Sequence, residues 1–84
     1  MRNEITNAHF NRLNEQIKNF TGGKKQWIAD CQITAPTFTT YTKGKKMEGK
    51  KMEIYRIGLG TLARLRLEEQ KKLVEVQNAF SLFN

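Results

Sequence analysis

His9, Cys31 and Asp30 are the only histidine, cysteine and aspartate of the chain, so the side chains that most often move protons, attack carbonyls or hold metals occur once each. His9 has no second histidine or nearby cysteine with which to share an ion, and zinc sites need several such ligands together. It is expected to be structural. Cys31 has no histidine in a recognisable arrangement, and a thiol among apolar residues behaves as a small hydrophobe. One cysteine closes no internal disulfide, which suits a reducing compartment, and a cytoplasmic location is the expectation. No glycine-rich loop leaves a strand to enter a helix, and no carboxylate pair is set to hold a divalent ion. A non-enzymatic protein with no catalytic residue, metal or cofactor is therefore expected. The enzyme that these residues still leave open is a metal-free ribonuclease built on Tyr41, Tyr55 and Arg56.

What the chain has in quantity is positive charge. Its 84 residues carry 15 Lys and Arg against 8 acids, for a net charge of +7. Gly44 to Glu53 is an immediate duplication, Gly-Lys-Lys-Met-Glu twice over, and between Lys43 and Lys51 five lysines stand against Glu48 alone. That short run supplies +4 of the +7. A patch so concentrated attracts phosphate or carboxylate. Lys43, Lys45, Lys46, Lys50 and Lys51 are expected to hold the backbone of DNA or RNA without reading its sequence. Lys24, Lys25 and Arg56 would support them, and Tyr41 and Tyr55 would stack on bases. The alternative is a small inhibitor or accessory protein, of the phage or mobile-element kind, docking on an acidic protein surface of a larger nucleic-acid-handling machine. Lysine suits both partners, because it lacks the fork of arginine that reads base edges.

The elements that would position these lysines follow from periodicity. Residues 4 to 20 read as an amphipathic helix, with Phe10, Leu13, Ile17 and Phe20 at helical steps and Asn3 as N-cap. Residues 26 to 34 alternate, with Trp27, Ala29, Cys31 and Ile33 on one side, as a half-buried strand does. Pro36 suits a turn or the first position of a second strand, because it lacks a ladder donor. The Thr, Tyr, Phe and Ile on either side of the duplication suit a β-hairpin whose charged tip is the repeat itself. A loop at Met47-Glu48-Gly49 then pairs Lys45 with Lys51, Tyr41 with Tyr55 and Thr40 with Arg56. Gly58-Leu59-Gly60 reads as a turn, and residues from about Thr61 to Leu82 as one long helix, favoured over a strand at 61 to 67. Phe80-Ser81-Leu82-Phe83 would anchor that helix in the core or serve as a contact in a possible homodimer through it.

The expected fold is thus one α+β domain over residues 1–84: a helix, a three-stranded antiparallel sheet with a long basic hairpin, and a C-terminal helix (α-β-β-β-α). In topology alone this order resembles the double-stranded RNA-binding domain. Thr61-Leu62-Ala63-Arg64 stands where that family carries a lysine-rich signature, so only Arg64 and Arg66 would substitute. No apolar run approaches the roughly 18 residues of a membrane span, and no membrane partner is expected.

Overall fold

The computed structural model describes residues 4–82, and side chains through Ala79. Among these residues there are four helices and no strand: α1 (Asn7–Lys18), α2 (Gly23–Asp30), α3 (Ala35–Thr42) and α4 (Gly49–Leu82). The α+β expectation, with its sheet and hairpin, is overturned, and the topological likeness to the RNA-binding domain goes with it. No described helix is long and apolar enough to cross a membrane.

The first helix is the one the periodicity located. Phe10, Leu13 and Ile17 are all buried on one face. Its cap is Thr6, whose backbone N–H donates to His9 Nδ1 at 3.0 Å. The histidine is thus part of a capping box that satisfies an otherwise unpaired amide at the helix start. Asn3, expected as the cap, lies outside the described residues.

The expected first strand is a helix. α2 buries Trp27, while Ala29, its supposed neighbour on one sheet face, is exposed. Trp27 is the centre of the core. Its ring lies 5.5 Å from that of Phe10 and 4.9 Å, edge-on, from that of Phe38 on α3. Its indole N–H donates to the carbonyl of Ile54 on α4 at 2.9 Å, so the polar end of this buried residue is satisfied.

α3 replaces the expected second strand, although Thr fills half of it. Thr34 caps it, accepting from the Thr37 amide at 3.4 Å, and Pro36 sits in the first turn, where it has no amide to lose. The hydroxyls of Thr39, Thr40 and Thr42 donate to carbonyls one turn back at 3.1, 3.0 and 2.8 Å. Each thus finds within the helix the partner that usually draws Thr into other conformations.

α4 starts inside the duplication and runs through the supposed turn. Gly58 is there because the helix crosses Trp27: a Cβ at this position would lie 2.6 Å from the indole and 2.8 Å from Leu13. Thr61, expected near the start of the last helix, is a fully buried mid-helix residue whose hydroxyl donates to Asp30 at 2.6 Å. The single long helix is therefore observed, beginning a dozen residues earlier than expected. The side chains of the expected aromatic anchor, 80 to 83, lie outside the described ones.

Candidate functional site

The residues with the most open chemistry surround α3. Between Asp30, the last residue of α2, and Ala35, the first of α3, lie four residues: the C-cap Cys31, Gln32 where the backbone turns, Ile33, and the N-cap Thr34. Gln32 has φ of 59°, the left-handed conformation that lets a chain reverse between helices and that non-glycine residues adopt at a cost. Phe38 holds α3 to the core through Trp27, and this leaves Ala35, Pro36, Thr39, Thr40 and Tyr41 facing solvent. Because the Thr hydroxyls are bonded back, the face presents mostly methyl and methylene groups.

Basic side chains stand at both ends of this face. Beyond its C-terminal end, Lys43, Lys45 and Lys46 are exposed on the segment leading to α4. Near its N-terminal end, Lys18 and Lys25 flank a hollow of about 530 Å³ that also reaches Ala35. Gly22, the N-cap of α2, has φ of 71° and lets α1 turn into α2 beside that hollow.

Not every lysine read as a contact is free to be one. Lys51 is only 7% exposed. Its ammonium donates to Asn7 Oδ1 at 2.6 Å and to the Gly44 carbonyl, and lies 5.0 Å from the centre of the Phe10 ring. Burial lowers its pKa. Asn7 in turn donates to the Lys45 carbonyl. Lys51 and Asn7 therefore fasten the loop that carries Lys43, Lys45 and Lys46 to α1. Lys24 is likewise engaged: it donates to Asn14 at 3.2 Å and lies 5.1 Å from the Phe38 ring centre. Burial, then Lys18, lowers its pKa. Lys50 is exposed, with Glu53 3.6 Å away.

The two tyrosines do not pair. Tyr41 is 40% exposed on α3, whereas Tyr55 is buried on α4 with its ring 6.4 Å from that of Phe10, so it is closed to base stacking. Arg56 is exposed on α4, one residue beyond Tyr55. The hairpin register that put Tyr41, Tyr55 and Arg56 together as a ribonuclease site is overturned, since all its strand residues are helical or in the loop.

Asp30 ties α2 to α4, accepting from Gln26 at 2.9 Å, from Thr61 and from Arg64. Burial works to raise its pKa, but the Thr61 and Gln26 hydrogen bonds and the Arg64 charge outweigh it and hold the carboxyl below its ordinary value. Cys31 is pushed the other way, up to about 11, by burial and by the nearby charges of Asp30 and Glu53. Among the described residues no group of three His, Cys, Asp or Glu could hold a metal ion.

Residue reading missed Gln32, Pro36, Thr39 and Thr40 as surface-defining residues, and Lys18 as a neighbour of Lys25. Thr34-Ala35-Pro36 was the available signal, a cap followed by proline in the first turn. Compared with protein-family models, with curated proteins and with solved structures, the chain finds no match in any of the three.

Proposed function

We propose that the protein binds duplex DNA, with α2, the four-residue turn and α3 acting as a helix-turn-helix and α3 entering the major groove. The observation that carries this reading is the exposed face of α3 with lysines beyond both of its ends. A helix in a major groove has phosphates on both sides, and a short turn between two helices is the usual way to present one. The fastened loop of Lys43, Lys45 and Lys46 would meet one strand, and Lys18 and Lys25 the other. The A-form major groove is too deep and narrow for such a helix, so DNA is favoured over duplex RNA.

Base reading on this surface is thin. Ala35, Pro36 and the Thr methyls offer apolar contact to thymine methyl groups, and no Arg, Asn or Gln stands on α3. Phosphate contacts should dominate affinity. Neutralising about five phosphates through Lys18, Lys25, Lys43, Lys45 and Lys46 gives a log-log salt slope of roughly −4.5.

Anisotropy titrations of labelled DNA and RNA duplexes at several salt concentrations test this. DNA should bind more tightly than RNA, Lys43→Ala, Lys45→Ala and Lys46→Ala should each flatten the slope by roughly 0.9, and Lys51→Met should loosen the loop without removing an exposed charge. Absence of DNA binding at low salt, or binding indifferent to the three loop lysines, rejects the reading. Capture by an acidic protein groove instead of DNA would assign the same lysines to a protein partner.

A further inference from the structure

From Arg66 to Ala79 every side chain of α4 is exposed, including Leu73 and Val76 at 58% and 59%. The stripe that α4 turns toward the core, Ile54, Gly58, Leu62 and Leu65, continues past the bundle at the same helical steps through Glu69, Lys72 and Val76. The helix thus carries its contact face beyond the domain that uses it.

We propose that a second copy of this chain covers that face, with the two α4 helices antiparallel. The reason lies in the order Leu65, Glu69, Lys72, Val76, whose steps of four, three and four read the same in both directions. Reversed against itself, the stripe sets Leu65 opposite the partner's Val76 and Glu69 opposite the partner's Lys72. The two-fold axis then repeats both pairs, giving two crossed ion pairs between two apolar layers. A parallel pairing would instead set Glu69 on the partner's Glu69 and Lys72 on the partner's Lys72, which repel. Charged residues within a helical seam cost stability but fix orientation and register.

Room exists for the partner's helix end. Between the α1–α2 turn and α4 lies a notch of about 300 Å³ whose wall includes Phe20, Leu65, Glu69 and Lys72. This is where the antiparallel register delivers the partner's Val76, against the half-buried Phe20 and Leu65. Leu67 and Val74, also exposed, lie on the other side of α4 and carry no such charge order.

Light scattering and sedimentation of the full chain over about a hundredfold concentration range decide it. A dimer is expected. Glu69→Lys and Lys72→Glu should each weaken association about tenfold or more, the equivalent of about 1.4 kcal/mol. An equimolar mixture of these two variants, and separately the double variant E69K/K72E, should recover it, because each restores opposite charges across the seam. The substituted positions are all exposed and lie outside the core, so the packing around Trp27, read by near-ultraviolet circular dichroism, should not change. A monomer at every concentration overturns the proposal, as does a dimer that both single variants leave intact, one lost only on Leu67→Lys or Val74→Lys, or a loss that neither the mixture nor the double variant repairs.

Discussion

Asp30 shows how a residue that could have been a catalytic acid is instead committed to holding the fold. Its oxygens accept from Gln26 on its own helix and from Thr61 and Arg64 on α4. These partners favour the carboxylate, so its pKa in the folded state is lowered from the ordinary 3.8. A lowered pKa means that the folded state binds the proton less well than the unfolded chain. The contribution is therefore complete above the ordinary value and is lost as pH falls through the folded one. Asp30→Asn should cost about 1.5 to 3 kcal/mol at neutral pH, the range for hydrogen bonds to a charged group. Denaturant unfolding at a series of pH values checks this: the gap between wild type and variant should narrow below about pH 4. A gap that stays constant to the lowest pH would mean that packing, not charge, carries the effect.

Among the elements, what could be read from sequence was set by length and by composition. α1 has twelve residues, enough for Phe10, Leu13 and Ile17 to repeat, and all three are buried as the spacing implied. α2 and α3 have eight each, about two turns, over which alternation and helical spacing are hard to tell apart. Trp27, Cys31 and Ile33 fall at every second or fourth position, and so satisfied a strand pattern while being used by a helix and its turn. Thr-rich α3 has strand-like composition, overridden by the cap at Thr34 and by the packing of Phe38 on Trp27. The duplicated pentapeptide makes the point most sharply: its first copy, Gly44 to Glu48, is loop, and its second, Gly49 to Glu53, opens α4. Local sequence is identical, so the difference is tertiary, with Lys51 drawn under the loop to Asn7 and Gly44. The same two-turn economy makes the α2–α3 turn sensitive to its one left-handed residue. Gln32→Gly should stabilise the fold by about 0.5 to 1 kcal/mol, because glycine accepts this conformation without the steric cost of a Cβ. Thermal unfolding would show a raised midpoint; no change or a loss would mean that the glutamine side chain contributes an interaction that offsets its backbone strain.

On the scale of the whole molecule, two regions of α4 live under different conditions. The helix has 34 residues, about 51 Å at 1.5 Å per residue, and the molecule is 54 Å in its longest direction, so α4 alone sets that length. Its first half is clamped by Trp27, Tyr55, Leu62 and the Asp30 network, and its amides can open only when the core opens. From Arg66 to Ala79 every side chain is exposed and none joins the core. A helical segment of that size is marginal in water without packing, so its amides should open locally at a much smaller cost. Hydrogen exchange followed residue by residue therefore separates the two. Amides of residues 54 to 65 should exchange at the rate of global unfolding whatever the protein concentration. Those of residues 68 to 79 should exchange fast in dilute solution and slow down as concentration rises, because the proposed second copy would cover them. Protection that is equal along the whole helix and independent of concentration would show that the distal half is stable by itself. In a two-fold dimer the protection would also extend to Phe20 and its neighbours in the α1–α2 turn, since the partner's helix end would seat there, and it would place two α3 helices on one particle for binding DNA at paired sites.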